Sequence, residues 1–330
     1  MIIRVLLLVA APIVALVGFR PAMDRIARRL MDAPRRAPEE SGMGPLLDRL
    51  GGEVIRLRSR DGLRLTGRWL EVETPEAPGE GDWVPDPREA VLVLHGWSGS
   101  VTPDLLDLGP SLRRTANVLG LDFRGHGGSD DAPTTFGVDE LEDVAGALAW
   151  LGERGIRRVA LVGSSMGGIT ALAAVAVLGD GRLSAADTAP DAPAATIDAP
   201  RPRIVAVVAD SVPPELALVV GARLRVPFGR RIGDRAFARM GELVGGDPRA
   251  TQPIAVVGLI EDVPLLLVHG TRDRTVPVRD AKRLAAAAPA GTRQLLVEGA
   301  GHGEGHRIDP EGYEAAVTEL LRSAFDRARE

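Results

Sequence analysis

Short apolar runs recur along most of the chain, and they alternate with longer segments whose apolar residues repeat at helical spacing. An uninterrupted run of this kind is typical of a strand that is buried on both faces of a sheet. The runs are Val91–Leu94, Val118–Leu121, Val159–Val162, Ile204–Ala209, Leu265–Val268 and the weaker Leu295–Val297. The helical segments are Leu105–Arg114, Val138–Gly152, Gly167–Leu178, Arg279–Ala288 and Glu311–Arg327. Strands that alternate with helices predict a mostly parallel sheet covered by helices on both faces.

Two further strands are predicted before these runs. Glu53–Arg58 is rich in branched apolar residues, and Leu63–Val72 alternates apolar and polar positions. Asp61 and Gly62 stand between them, a pair that favours a tight hairpin turn. The predicted sheet therefore has about eight strands.

Two stretches interrupt the alternation of strands and helices. Residues 179–203 are rich in Ala, Pro and Asp, which predicts a low-complexity surface loop. Residues 212–262 separate two buried strands by far more chain than a normal crossover needs, and they contain apolar helical segments. We expect this insertion to form a lid over one edge of the sheet. Residues 53–330 together are expected to form a single α/β domain.

The amino-terminal segment has a different character. Residues 5–19 carry no charge, and together with residues 1–3 they approach the ~20 residues that a membrane-spanning helix needs. The pattern predicts a transmembrane anchor at residues 1–22. A cleavable signal peptide is the first alternative, which would make the protein secreted. A buried core or lid helix is the second.

Positive charge follows the apolar segment, since residues 1–36 contain seven Arg and two Asp. Positive residues remain on the cytoplasmic side of a membrane, so the anchor predicts a single-pass protein with a cytoplasmic domain. Residues 23–52 are interpreted as a basic amphipathic segment and linker, in which Met23, Ile26, Ala27 and Leu30 share one helical face. That face could lie on an anionic membrane surface, or the helix could be a solvated linker, and both interpretations stay open.

Composition limits the classes of function. Apolar residues make up 45% and charged residues 26% of the chain, as in ordinary globular proteins. The net charge of −5 argues against a nucleic-acid partner. The absence of Cys excludes disulfides, thiolate catalysis and Cys-ligated metals. The sequence also lacks a metal-binding HExxH motif and a phosphate-binding Walker motif, so we expect neither a metal nor a cofactor.

Residues 163–167 read Gly-Ser-Ser-Met-Gly and match the pattern G-x-S-x-G. They follow the apolar run that ends at Val162 and open a helix rich in small residues. This strand–turn–helix setting is that of a nucleophile elbow, in which Gly163 and Gly167 allow a sharp turn and Ser165 stands at the carboxyl edge of the sheet. A glycine-rich turn with a solvated serine is the alternative.

A serine hydroxyl needs a general base before it can act as a nucleophile at neutral pH. Among the five His residues, His302 lies just after the last predicted strand, where a loop can reach the sheet edge. A carboxylate must in turn orient the imidazole. Asp273, which follows the run that ends at Val268, is the first candidate, and Asp210, at the end of another strand, is the alternative.

Four parts of the chain together resemble the α/β-hydrolases of the serine esterase and lipase kind. They are VLVLHGWSG at 91–99, LDFRGHGGS at 121–129, GSSMGG at 163–168, and HGTRDRTVP at 269–277 with GAGHG at 299–303. The chain order Ser, Asp, His is also the order of this family. The resemblance covers about residues 88–325 and implies an α/β-hydrolase fold, a mostly parallel sheet of about eight strands with helices on both faces and a lid insertion.

The same resemblance implies a role for each candidate residue. Ser165 would be the nucleophile, His302 the general base and Asp273 the acid that orients it. The oxyanion hole of the family uses two backbone N–H groups, which correspond here to Met166, after the nucleophile, and Trp97, in the loop after the third strand.

These roles predict a serine hydrolase that cleaves carboxylic esters or thioesters through an acyl-serine intermediate. The predicted anchor beside the site suggests a small or lipid-like acyl substrate. Two of the segments also resemble the catalytic domain of prolyl-oligopeptidase-like peptidases, so a peptidase or an acyltransferase remains open. A non-catalytic binding protein of the same fold is a further alternative, and it would be expected to lack at least one member of the triad.

Overall fold

The computed structural model describes residues 20–32, 44–74, 83–97, 99–178, 201–219, 229–246 and 248–330. Within them, eight strands form one sheet in the order β1-β2-β4-β3-β5-β6-β7-β8. The strands are β1 Glu53–Arg58, β2 Arg64–Leu70, β3 Glu89–Leu94, β4 Asn117–Leu121, β5 Arg158–Ser164, β6 Arg203–Asp210, β7 Leu265–Gly270 and β8 Arg293–Val297. Strand β2 is antiparallel to both β1 and β4, and the other neighbours are parallel. The predicted α/β-hydrolase architecture is therefore confirmed.

Helices cover both faces of this sheet. They are α1 at residues 20–31, α2 Gly44–Arg49, α3 Thr102–Leu112, α4 Glu140–Glu153, α5 Met166–Leu178, α6 at residues 216–219, α7 Gly229–Val244, α8 Pro253–Val256 with a 3₁₀ turn at Val257–Leu259, α9 Val278–Ala287, α10 Gly305–Ile308 and α11 Pro310–Arg329. Helix α3 begins three residues before its predicted start, because Pro103 occupies its first turn, where proline is favoured.

The core is divided in two by the alternation of side chains along each strand. Leu92 and Leu94 of β3 belong to a cluster shared with helices α4 and α5. Val91 and Val93 belong to a second cluster shared with α3 and α11. All four side chains are at most 1% exposed. Burial on both faces explains why these strands read as continuous apolar runs.

The apolar face of α1 packs on the body of the protein. Met23 is 6% exposed and Ala27 is fully buried, while Leu30 and Met31 pack against the larger core cluster. The carbonyl oxygen of Met31 also accepts a 2.9 Å hydrogen bond from the backbone N–H of Thr134. Both predicted settings of this face, a membrane surface and open solvent, are therefore wrong, because the protein itself covers it.

Other predictions fall on residues that the structure does not describe. The predicted anchor at residues 1–22 lies outside the described residues up to residue 19, and the predicted low-complexity loop lies outside them from 179 to 200. In the part of the chain that the structure does describe, no helix has both the length and the apolar character needed to cross a membrane. The predicted lid at 212–262 is described except for residues 220–228 and 247, and it contains α6, α7 and α8.

Candidate active site

A sharp turn joins β5 to α5 and carries Ser165 at its apex. Ser165 has a φ of +49°, a left-handed conformation that is uncommon outside glycine. A Cβ atom at Gly163 would lie 2.4 Å from the carbonyl group of Gly167, and one at Gly167 would lie 2.0 Å from the carbonyl oxygen of Leu94. Only glycine fits at either position, which is the physical reason for the G-x-S-x-G pattern found in the sequence.

The structure brings the three predicted catalytic side chains into one hydrogen-bonded chain. His302 Nε2 lies 3.0 Å from Ser165 Oγ, and His302 Nδ1 lies 2.7 Å from Asp273 Oδ2. These residues come from three separate segments, which follow β5, β7 and β8 at the carboxyl edge of the sheet. The distances suit transfer of the serine proton to the imidazole while the carboxylate fixes the ring.

Asp273 is held in the position and charge state that this arrangement needs. Its Oδ1 accepts hydrogen bonds from the N–H groups of Thr275 at 2.7 Å and Val276 at 2.8 Å. Burial by itself raises the pKa of Asp273, but the hydrogen bonds and the charge of His302 outweigh it, and the net pKa lies below the usual value. The side chain therefore remains a carboxylate at neutral pH.

Asp210, the alternative acid, makes different contacts. Its carboxylate accepts a 2.8 Å hydrogen bond from Ser211 Oγ and is hydrogen-bonded to Tyr313. Burial raises its pKa above the usual value. The backbone carbonyl of Asp210 accepts the N–H of Ser165 at 2.8 Å, so this residue supports the turn that carries the serine.

Ser211 is a site residue that the sequence analysis missed. Its hydroxyl accepts the N–H of Gly303, next to His302, at 2.9 Å while donating to Asp210. Ser211 has a φ of +55° and is fully buried. The bond joins positions that are 92 residues apart, so no local sequence pattern could have indicated it. It ties the loop of His302 to the end of β6.

The loop after β3 lies against the elbow. A Cβ atom at Gly96 would be 3.7 Å from Ser165 Cβ. Beside it, His95 Nε2 accepts the N–H of Phe123 at 3.1 Å, so the ring proton is on Nδ1, which donates to the carbonyl of Gly96 at 2.7 Å. Burial lowers the pKa of His95 to about 3, and the imidazole is neutral. His95 thus fixes the loop that carries Trp97.

The second sequence motif, LDFRGHGGS, forms a turn after β4 that supports this loop from behind. Asp122 Oδ1 accepts the N–H of Val101 at 2.8 Å, and Oδ2 accepts the N–H of Gly128 at 3.0 Å. A Cβ atom at Gly127 would come within 2.0 Å of the same carboxylate. The motif therefore holds the loop after β3 in position and takes no part in the hydrogen-bonded chain of Ser165, His302 and Asp273.

An apolar pocket opens at the serine. Its lining consists of Leu30, Trp97, Phe136, Ser165, Met166, Leu216, Val219, Phe237, Thr275 and His302. Trp97 and Met166, whose N–H groups were predicted to form the oxyanion hole, are both in this lining. Apart from the serine, histidine and threonine, every side chain in it is apolar, so the pocket suits an apolar group next to the bond that reacts.

The aromatic wall of this pocket is also held in place from a distance. Phe136 packs between Trp97 and Phe237, with ring centroids 5.9 and 5.6 Å away. Its φ is +56°. The fully buried carboxylate of Glu140 fixes this turn, because it accepts the N–H groups of the residues on either side of Phe136, both at 2.8 Å.

Among the described residues, no group of three His, Asp or Glu side chains is placed to hold a metal ion.

The sheet order, the elbow and the Ser-His-Asp chain together define an α/β-hydrolase. Residues 91–316 match the Alpha/beta hydrolase family, and the protein belongs to this family.

Comparison with individual proteins agrees with this assignment. The uncharacterized protein YfhR of Escherichia coli O157:H7 is 23% identical over 266 residues, which cover 80% of this chain and 78% of that protein. An esterase of Pyrococcus furiosus, Pf2001, has a similar structure, with a TM-score of 0.58, 21% identity, and coverage of 88% of this chain and 99% of that one. A membrane phospholipase A, described as a bacterial virulence factor, gives a TM-score of 0.54 at 19% identity over 97% and 96% of the two chains. At these identities the likeness shows the fold.

Proposed function

We propose that this protein is a serine hydrolase that cleaves carboxylic esters or thioesters, with Ser165 as nucleophile, His302 as general base and Asp273 as the acid that orients it. The observation that carries the proposal is the continuous hydrogen-bonded chain through these three side chains, with distances of 3.0 and 2.7 Å. Its location at a nucleophile elbow next to an apolar pocket supports the same function.

In the proposed reaction, Ser165 Oγ attacks the carbonyl carbon of the substrate while His302 Nε2 takes the hydroxyl proton. The negative oxygen of the tetrahedral intermediate is stabilised by the N–H groups of Met166 and Trp97, each worth about 2.7–4 kcal/mol in such sites. The imidazolium then gives its proton to the leaving alcohol or thiol, which departs and leaves an acyl-serine. A water molecule, deprotonated by the same imidazole, hydrolyses that ester and restores the serine.

The lining of the pocket supports an apolar acyl group as the part of the substrate that is recognised. Seven apolar side chains line the pocket around the serine, and the lining contains no Asp, Glu, Lys or Arg. The esterase and the phospholipase among the structural neighbours act on bonds of the same class by their descriptions. A small or lipid-like ester is therefore the substrate we propose.

The test is covalent labelling followed by turnover. A fluorophosphonate probe should label the wild-type protein and fail to label Ser165→Ala, while Ser164→Ala, which removes the neighbouring hydroxyl in the same motif, should keep its labelling. Wild-type protein should also hydrolyse p-nitrophenyl esters, and Asp273→Asn should lower kcat by about 10⁴-fold, as loss of the orienting carboxylate does in other triads. Labelling of Ser165→Ala, or an absence of both labelling and turnover in the wild type, would overturn the proposal.

Membrane anchoring through residues 1–22 remains part of the proposal on the strength of the sequence alone. Because α1 packs on the domain, the matched variant removes only residues 1–19 and leaves α1 intact. Carbonate extraction should release this variant from membranes and should retain the full-length chain. Release of the full-length chain would contradict the anchor without affecting the proposed chemistry.

A further inference from the structure

Helix α1 is attached to the lid and to the body of the protein at the mouth of the pocket. The carboxylate of Asp24 accepts a charged hydrogen bond from the guanidinium group of Arg239, which lies on the lid helix α7. At the other end of α1, the carbonyl of Met31 accepts the N–H of Thr134, two residues before the pocket residue Phe136. Ala27 between them is fully buried. The helix is therefore docked at three points along its length.

One side chain of this docked helix enters the pocket of the catalytic serine. Leu30 lies in the same lining as Ser165 and His302, together with Phe237 of α7 and Phe136. The helical register explains this position, because residues 23, 27 and 30 share the face that α1 turns to the protein. The neighbouring Arg28 and Arg29 lie on the opposite face and are exposed.

We propose that α1 is a wall of the acyl-binding pocket and that the side chain at position 30 sets the length of the acyl chain that the enzyme accepts. This inference rests on the proposed function. It assigns a substrate-selecting role to an element that lies outside the segment matched by the hydrolase family, which begins at residue 91. The substrate class it specifies is an ester of an uncharged, apolar acyl chain, since every other side chain in the lining, apart from the reacting residues and Thr275, is apolar.

The size of residue 30 should act on long and short substrates differently. An acyl chain too short to reach Leu30 gains nothing from a smaller side chain there. A longer chain gains the burial of each added methylene, which changes kcat/KM by roughly fourfold per CH₂ when the group is fully buried. Space for two or three methylenes therefore predicts a change of roughly fifteen- to sixtyfold in the preference for long over short chains.

The experiment compares kcat/KM for p-nitrophenyl esters from acetate to laurate in four proteins. Leu30→Ala should raise the ratio of decanoate to acetate hydrolysis by at least tenfold over wild type, and Leu30→Phe should lower it. Arg29→Ala, on the exposed face of the same helix, is the matched control and should leave the ratio unchanged. Thermal unfolding of each variant shows whether the fold is kept, and Leu30→Val replaces Leu30→Ala if the latter does not fold.

The outcomes separate this inference from the proposed function. If the wild type hydrolyses esters and both Leu30 variants keep its chain-length profile within twofold, α1 does not set the specificity and the inference is overturned, while the serine hydrolase stands. If the wild type neither hydrolyses esters nor binds the fluorophosphonate probe, the proposed function itself fails. A profile that changes equally in Arg29→Ala would show a general effect of the helix and would also overturn the role of position 30.

Discussion

Replacement of Arg124 by Met should destabilise the protein strongly, because it leaves a buried carboxylate without its partner. Arg124 lies in the turn after β4 with a side chain only 4% exposed, and Asp143 on α4 is 0% exposed. The guanidinium group donates to Asp143 Oδ1 at 2.8 and 3.0 Å and to both oxygens of Asp61 at 2.9 Å. Burial disfavours the charge of Arg124, but the two carboxylates outweigh it and raise its pKa above the usual value.

The expected loss is about 3–5 kcal/mol in the free energy of unfolding, the range found when one partner of a buried ion pair is removed. That is a large part of the 5–15 kcal/mol of a typical domain. The matched control is Arg64→Met, which breaks an ion pair to Asp130 whose Arg side chain is 74% exposed, and its free energy of unfolding should stay close to that of the wild type. Urea unfolding, followed by circular dichroism, measures the free energy of unfolding of both variants. The comparison holds when the two variants have the same m-value as the wild type.

A double variant tests the physical reason for the loss. Arg124→Met with Asp143→Asn removes the stranded charge, and we expect it to be more stable than Arg124→Met alone. The single variant should also lose more stability at pH 8 than at pH 5, because an unpaired buried carboxylate has a raised pKa and its folded form holds the proton. A loss below 1 kcal/mol for Arg124→Met, or no recovery in the double variant, would refute the reasoning.

Three further predictions follow, two from the site and one from a buried carboxyl group outside it. Ser211→Ala removes the hydroxyl that accepts the N–H of Gly303, next to His302. We expect kcat to fall about 10- to 100-fold with KM nearly unchanged, because a small displacement of a catalytic group lowers the rate strongly. A kcat within twofold of wild type would contradict this. Gly167→Ala should abolish soluble expression or activity, because its Cβ would meet the carbonyl of Leu94 at 2.0 Å. The third prediction concerns Asp104, in the first turn of α3 and outside the pocket of Ser165. Burial and nearby carboxylates raise the pKa of Asp104 to about 7, so the stability that it contributes at low pH is lost as pH rises from about 4 to 7. Asp104→Asn should flatten that fall in urea unfolding.

The sheet could be predicted from the sequence because its strands are buried on both faces. Each predicted strand from Val91–Leu94 to Leu295–Val297 is found in the structure, extended by a few residues at its ends. The turn at Gly163 and Gly167 could also be predicted, because a Cβ atom at either position would clash with the backbone and only glycine fits. A constraint that acts within one segment determines the residue types of that segment, so it can be predicted from the sequence.

The pocket could not be predicted in the same way, because its walls come from distant parts of the chain. Leu30 of α1 and Phe237 of α7 meet at Ser165 although they are far apart in the sequence. The amphipathic pattern of α1 showed that it has an apolar face, but a pattern of hydrophobicity does not identify what covers that face. The sequence therefore suggested a membrane surface or solvent where the structure has helix α7 and the core.

Backbone strain shows how these distant parts are combined. Within the described ranges, four non-glycine residues have a positive φ, and three of them are Phe136, Ser165 and Ser211. Each conformation costs of order 1–3 kcal/mol and persists only where the surroundings enforce it. The buried Glu140 fixes the turn of Phe136, a carbonyl of β6 accepts the N–H of Ser165, and a carbonyl of β7 accepts the N–H of Ser211. One strained residue thus sets the pocket wall, one the position of Ser165 and one the loop of His302, so the geometry of the site is a property of the assembled sheet and helices and not of any local segment.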